Sequence, residues 1–217
     1  DSAVREYSQK FDKVVVDDVV LSQDDLAKAK NELSPELVQA IDVAYDNIYA
    51  FHKAQETVPV RVDTMEGVSC WQSKKPIEKV GIYIPGGTAP LFSTVLMLAI
   101  PAQIAGCQQI VLCTPPSTNG IPSAIRYAAN KCGVTIVAQI GGIQAIAAMT
   151  FGTASIPKVY KIFGPGNQFV TVAKQKATQF QTAIDMPAGP SELLVVADDS
   201  ANPVSVSYTH LRAHETP

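Results

Sequence analysis

The chain has 217 residues, of which 47% are hydrophobic and 17% are charged, so it can form one large domain or two small ones and most of it is not disordered. Its formal net charge is -3 and its lysines and arginines are scattered, which excludes the clustered basic surface of proteins that bind nucleic acids or acidic membranes. We therefore expect chemistry on small molecules, with no nucleic acid and no membrane among the partners.

Four cysteines, at positions 70, 107, 113 and 132, show no C-x-x-C spacing, which favours a reducing compartment and a cytoplasmic protein. The first residues show neither a basic nor an apolar leader segment, so we expect no signal or transit peptide. The most apolar window, residues 89–106, is interrupted by Pro101 and Gln103, which favours a buried helix over a membrane span.

Two helices are predicted in the N-terminal part of the chain. Ser22 followed by Asp25 resembles a capping box, and Ser34 followed by Pro35 resembles an N-cap with proline at the first helical position. The second helix has one apolar face, and His52 at its edge is more simply a partly exposed structural side chain than a metal ligand. That face comprises Leu37, Ile41, Ala44, Ile48 and Phe51.

From about residue 79 the sequence repeats a short apolar run, a glycine- or proline-rich turn and a helical segment. Strands that alternate with helices in this way predict βαβ units and a parallel sheet, and the continuous apolar runs indicate a sheet covered on both faces. The predicted strands are 79–84, 109–113, 135–140 and 161–163, and the helices that follow them are 93–105, 122–132, 143–151 and 168–179.

Ligands of such sheets bind at the carboxyl ends of the strands, which selects the turns 83–87, 141–144 and 164–167. The glycines in these turns and the free N–H groups of the following helices suit an anion such as a pyrophosphate, although βα turns contain glycine whether or not they bind a ligand. No G-x-G-x-x-G motif is present, and the second predicted strand leads into Thr114 rather than an acidic residue. An ordinary Rossmann dinucleotide site is therefore not evident.

The segment AIDMPAGPSELLVV, residues 183–196, predicts a buried strand that stops at Asp185 and a rigid turn built from Pro187, Gly189 and Pro190. The turn presents Ser191. We expect Asp185 and Glu192 to accept hydrogen bonds from buried backbone N–H groups around the turn rather than to contact a ligand directly.

Four stretches resemble the L-histidinol dehydrogenase family in the same order and close to the family's spacing: VGIYIPGGTAPLFSTVLMLAIPAQIAGC, GGIQAIAAMTFGT, KIFGPGNQFVTVAK and IDMPAGPSELLVVA. The resemblance covers about residues 1–203. It implies a zinc-dependent, NAD-linked enzyme that oxidises L-histidinol through L-histidinaldehyde to L-histidine, the last step of histidine biosynthesis, and that forms a homodimer.

The resemblance also implies roles for individual residues. Tyr83 in GIYIPGG, Gln144 in GGIQAIAA and Asn167 in FGPGN match positions that contact NAD in the family, and Ser191 in AGPSE matches a position that contacts histidinol. The implied fold class is α/β, with a Rossmann-like NAD-binding lobe at residues 78–196. It is preceded by an incomplete first α/β lobe with N-terminal helices at residues 1–77.

The family's catalytic Glu-His pair and zinc ligands lie downstream of the AGPSE motif, so we assign no catalytic residue and no metal ligand to this chain and expect it to be inactive alone. Residues 204–217 depart from the family pattern, which favours a non-native tail. His210 and His214 are spaced like a zinc motif, but H-E-x-x-H needs glutamate where Leu211 stands.

Two alternatives stay open at this point. One is a non-catalytic nucleotide-binding module. The other is an aldehyde dehydrogenase with Cys107 or Cys113 as nucleophile, which is the weaker because no histidine is placed by the sequence to activate either thiol.

Overall fold

The structure, a computed structural model, describes residues 1–87, 89–117, 120–187 and 195–204. The chain divides into two compact units, Asp1–Asp185 and Met186–Pro217. In the second unit the described residues include a turn in which Asp198 Oδ1 accepts hydrogen bonds from the backbone N (2.9 Å) and Oγ (2.6 Å) of Ser200. The predicted tail, apart from Val204, lies outside the described residues.

The first unit begins with helices. Both predicted N-caps are confirmed: Ser22 and Asp25 form a reciprocal capping box, and Ser34 Oγ accepts a hydrogen bond from Leu37 N at 3.2 Å. His52 is half-buried beside Gln55, as expected of a structural residue. The helices are α1 (Ser2–Tyr7), extended by a π-helical turn Ser8–Asp12; α2 (Gln23–Lys28), extended by a 3-10 turn Ala29–Glu32; and α3 (Pro35–Lys53).

Helix α3 packs its apolar face against the core, with Ile41 fully buried. The inclusion of Phe51 in this face is wrong, because its side chain is 68% exposed. Phe51 lies about 80° around the helix from Ile41 at 100° per residue, so it falls at the margin of the face.

An antiparallel hairpin, β1 (Arg61–Met65) and β2 (Val68–Trp71), follows α3 and was not predicted from the sequence. All but one of its strand residues are exposed. The hairpin and its entry carry large exposed apolar side chains: Val60, Val62, Met65, Val68 and Trp71.

The central sheet has five parallel strands in the order β5-β4-β3-β6-β7, which confirms the α/β class. The predicted strands and helices all form, and their bounds differ from the predicted ones by two residues at most. The strands are β3 (Lys79–Tyr83), β4 (Gln109–Thr114), β5 (Ile136–Gln139), β6 (Lys161–Phe163) and β7 (Ala183–Ile184); the helices are α4 (Phe92–Ala105), α5 (Ser123–Lys131), α6 (Gly142–Phe151) and α7 (Gln168–Ala177).

Helices cover the sheet on both sides. Val80 and Ile82 of β3 face a core shared with α3, α4 and α5, whereas Tyr83 faces a second core shared with α1, α6 and α7. Helix α4 is buried on one side, as predicted, and among the described residues no helix is long and apolar enough to cross a bilayer.

The two edges of the sheet have different neighbours. At one edge the N-terminal segment pairs with β5: Gln139 N donates to Val19 O at 2.8 Å and Leu21 N donates to Val137 O at 2.9 Å. At the other edge lies β7, where Ala183 is exposed and Ile184 half-buried. The predicted strand before Asp185 therefore exists, but the expectation that it is buried is wrong, because an edge strand has a neighbour on one side only.

Candidate functional site

The strand order defines a switch point that the sequence did not reveal. From β3 the chain passes through α4 to β4 on one side, and from β6 it passes through α7 to β7 on the other, so β3 and β6 are adjacent strands with diverging connections. Open α/β sheets bind ligands at the carboxyl ends of the strands at such a switch point. The residues after Tyr83 and after Phe163 lie at this position.

The turn after β6 lies directly against the end of β3. Gly164 has φ +122°, and a Cβ at this position would be 2.1 Å from Tyr83 O. Only glycine is compatible with this approach, because the contacted atom belongs to the backbone and cannot move aside. The glycine is therefore required for packing between two turns of the protein, whether or not a ligand is present.

A buried ion pair holds the same turn. Lys174 Nζ donates to Gly164 O at 2.7 Å and pairs with Asp185, and Gly164 N donates to Asp185 Oδ2 at 2.8 Å. Both backbone polar groups of Gly164 are thus satisfied by side chains, as buried polar groups require. Asp185 accepts a hydrogen bond from a buried backbone N–H, as expected, but this donor belongs to the β6–α7 turn and not to the predicted turn at residues 187–190. Glu192 lies outside the described residues.

Lys174 was missed by the sequence analysis. It stands on the buried face of α7 with Val170 and Ala177, at the spacing at which an apolar side chain is expected. A lysine within an apolar stripe is a readable signal of a buried partner, since charged side chains are almost never fully buried unpaired.

Tyr83 is only 3% exposed, and its hydroxyl oxygen accepts a hydrogen bond from Gly142 N, in the first turn of α6, at 3.0 Å. Burial raises the pKa of this phenol, and the hydrogen bond from Gly142 opposes the rise. The phenol therefore stays protonated at neutral pH and retains an O–H group that can donate to a ligand.

Gln144 lies on the same turn of α6 and is 6% exposed. Its Nε2 donates to Asp12 Oδ2 at 3.0 Å, whereas its Oε1 is buried and has no hydrogen-bond partner among the described residues. Asp12 comes from the π-helical turn after α1, and no feature of its sequence neighbourhood pointed to this contact. Burial raises the pKa of Asp12, and the bond from Gln144 opposes the rise.

Asn167 is the exposed N-cap of α7, with Oδ1 accepting a hydrogen bond from Val170 N at 3.0 Å. The structure therefore brings three of the four predicted site residues to one rim. Tyr83 and Gln144 meet at the start of α6, and the turn that carries Asn167 packs against the Tyr83 backbone through Gly164. Ser191 lies outside the described residues.

The two cysteines considered as nucleophiles, Cys107 and Cys113, are half-buried and buried, respectively. All four cysteines are free thiols, and Cys132 is also buried. Burial raises the pKa of Cys107 and Cys113 and raises that of Cys132 to about 12. A thiol nucleophile needs a lowered pKa, so the aldehyde dehydrogenase alternative loses its support.

No group of three or more histidine, cysteine, aspartate or glutamate side chains that could hold a metal ion occurs in the described ranges. His210 and His214 lie outside these ranges.

Comparison with known proteins gives a consistent result. The sequence profile of the histidinol dehydrogenase family matches residues 1–215. The chain is 59% identical over 208 residues to histidinol dehydrogenase of Bacteroides thetaiotaomicron, covering 95% of this chain and 49% of that protein. It is 58% identical over 205 residues to histidinol dehydrogenase of Escherichia coli, covering 94% of this chain and 46% of that protein.

Among solved structures, that of histidinol dehydrogenase from Elizabethkingia anophelis superimposes with a TM-score of 0.90 at 55% identity. The match covers 98% of this chain and 49% of that one. The chain thus spans about half the length of the relatives it matches. It belongs to the histidinol dehydrogenase family.

Proposed function

We propose that the chain is the NAD-binding part of a histidinol dehydrogenase, an enzyme that oxidises L-histidinol through L-histidinaldehyde to L-histidine in two successive steps. The observation that carries this proposal is the rim at the switch point, where Tyr83, Gln144 and Asn167 gather on three neighbouring segments. NAD would supply the hydride acceptor for both oxidation steps.

The residues at the rim fit a dinucleotide. Tyr83 offers an O–H donor from a hydroxyl already fixed by Gly142, and Gln144 offers a buried acceptor that no described residue uses. Asn167 sits at the N-terminus of α7, where free N–H groups and the helix dipole favour a negatively charged group. Ser191 is proposed to contact histidinol.

The zinc ion is assigned no ligand in this chain. We propose that zinc binding and general-base catalysis belong to other parts of the family enzyme, that the chain alone is inactive, and that the complete enzyme is a cytoplasmic homodimer. Residues 1–77 are proposed to belong to a first lobe and residues 78–196 to the NAD-binding lobe, with a non-native tail from residue 204.

The test is an assay of NADH formation with L-histidinol and zinc, run on this chain and on the same chain extended by the downstream half of its Bacteroides relative. NAD binding to both proteins is measured by equilibrium dialysis. We expect both to bind NAD and only the extended protein to produce NADH.

Two controls sharpen the assay. Tyr83→Phe removes only the hydroxyl and should weaken NAD binding about tenfold, because one hydrogen bond from a buried site is lost. Tyr127→Phe, a matched change at a tyrosine whose hydroxyl bonds Asp42 on the opposite face of the sheet, should leave binding unchanged. If both proteins bind NAD and neither oxidises histidinol, the non-catalytic nucleotide-binding module is the better description.

A further inference from the structure

Asp12 occupies a place in the candidate site that neither the strand pattern nor the family motifs assign. We propose that its carboxylate accepts hydrogen bonds from the adenosine ribose hydroxyls of NAD and so selects NAD over NADP. This inference rests on the proposed function, since it concerns the same nucleotide.

The N-terminal segment holds Asp12 firmly in position. Val4 and Val16, on either side of it in sequence, are buried in the core that also contains Tyr83 and α6. Beyond them, Val19 and Leu21 pair with the outer edge of β5. Asp12 therefore lies at the first turn of α6, in a segment that is packed or paired with the rest of the protein on both sides of it.

The contact between Asp12 and Gln144 fixes the orientation of the glutamine amide. An ionised carboxylate only accepts hydrogen bonds, so the amide must present its NH₂ group to Asp12, as it does at 3.0 Å. Its Oε1 is then left as an acceptor, buried and without a partner among the described residues. It lies next to Gly142, 2.9 Å from where a Cβ on that residue would be.

This part of the site holds two acceptors that a ligand can use. The Asp12 carboxylate accepts a hydrogen bond from Gln144 Nε2 but belongs to none of the ion pairs in the described part of the chain, and Gln144 Oε1 has no donor there. A buried acceptor without a donor costs free energy, which a ligand that donates would recover. The vicinal hydroxyls of a ribose are such donors, with one available for each acceptor.

The same carboxylate disfavours phosphate at this position. Ordinary NAD sites place an acidic residue near the end of the second strand of the fold, where it accepts from the ribose 2′-hydroxyl, and NADP sites replace it because NADP carries a phosphate there. In this chain β4 ends in the buried Thr114. Asp12 supplies the missing carboxylate from outside the sheet.

The experiment measures the dissociation constants of NAD, NADP and 2′-deoxyadenosine NAD for the full chain by equilibrium dialysis. Asp12→Asn removes the charge with little change in shape. Asp17→Asn is the matched control, because it removes the same charge from an exposed residue of the same segment. The hydrogen bond given for Asp17 involves its backbone oxygen and Arg5, not α6.

We expect Asp12→Asn to weaken NAD binding about tenfold or more and to lower the ratio of NAD to NADP affinity at least as much, with no change in Asp17→Asn. The 2′-deoxy analogue should bind the unaltered chain about tenfold more weakly than NAD but should bind Asp12→Asn as well as NAD does.

Three results would overturn parts of this reasoning, each in a distinct way. If the unaltered chain binds neither nucleotide, the proposed function fails and the role of Asp12 with it. If NAD binds and Asp12→Asn keeps the affinity ratio within twofold, the inference fails alone. Should Asp12→Asn not fold, the analogue measured on the unaltered chain decides: equal affinity for NAD and its 2′-deoxy form refutes the ribose contact.

Discussion

Replacement of Lys174 by methionine tests whether the ion pair with Asp185 holds the β6–α7 turn. Methionine has a similar length and keeps the apolar contacts of the lysine stem in α7, while the ammonium group is lost. Among the described residues, the Asp185 carboxylate then keeps only the hydrogen bond from Gly164 N, and Gly164 O loses the donor Lys174.

The expected cost follows from burial. The lysine side chain is 7% exposed and that of Asp185 is 29% exposed. Removal of one partner from a fully buried pair costs about 3–5 kcal/mol, because the other charge stays without compensation. Partial access of water to Asp185 reduces this penalty, so we expect the free energy of unfolding to fall by about 2–4 kcal/mol.

Urea unfolding followed by far-UV circular dichroism measures the change. For a denaturant slope of roughly 2 kcal/mol per molar, the midpoint should fall by roughly 1–2 M. The double variant Lys174→Met with Asp185→Asn should recover part of the loss, since it also removes the uncompensated charge. Lys53→Met is the control, because Lys53 pairs with Glu56 at the surface, where both side chains are about half exposed.

A midpoint for Lys174→Met equal to that of Lys53→Met would refute the reasoning. It would mean that the buried pair contributes no more than a solvent-exposed one and that Gly164 is held by its neighbours alone.

Two further predictions concern single residues. Gly164→Ala should lower the free energy of unfolding by about 3 kcal/mol or more, because the new Cβ meets Tyr83 O. Gly67→Ala, at a residue with φ +78° and open space around it, should lower it by about 1 kcal/mol. Similar losses for both variants in urea unfolding would contradict the contact. Cys70 is exposed and should react with a thiol reagent at pH 8 in the native protein. Cys113, whose pKa is raised by complete burial, should react only after unfolding. Labelling of Cys113 at the rate of Cys70 would show that the sheet opens.

The repeating strands and helices could be predicted because their signals are local. Each apolar run is continuous, each turn is punctuated by glycine or proline, and the capping residues Ser22 and Ser34 stand next to the helices that they start. The hairpin was missed because its local sequence signal is weak. Its two-residue turn, Glu66–Gly67, lacks the Asn-Gly or Asp-Gly pair that marks a hairpin most clearly.

The candidate site could be predicted only in part. Tyr83 ends an apolar strand and Gln144 and Asn167 follow others, so the pattern placed them on one rim. The strand order that makes the rim a switch point depends on pairing between strands that are distant in sequence, and no local signal carries it. Asp12 escaped notice because its partner Gln144 is 132 residues away.

The order of the strands also has a consequence for how the chain folds as it is synthesised. β3 is the first strand of the sheet to emerge and lies at its centre, so β4 and β5 can add to it in sequence on one side, with the N-terminal segment closing the edge of β5. β6 joins the other side of β3 only later, through the pairing of Val80 with Lys161.

Chains generally fold from the N-terminus during synthesis, and long-range parallel pairing is slow. The free edge of β3 is therefore exposed until residue 161 and its neighbours have been made. Pulse-labelling hydrogen exchange should detect this interval, with the amides of β4 and β5 protected before those of β6. The candidate rim is completed only when β6 has joined the sheet, so the nucleotide proposed to bind there cannot stabilise a nascent chain before that step.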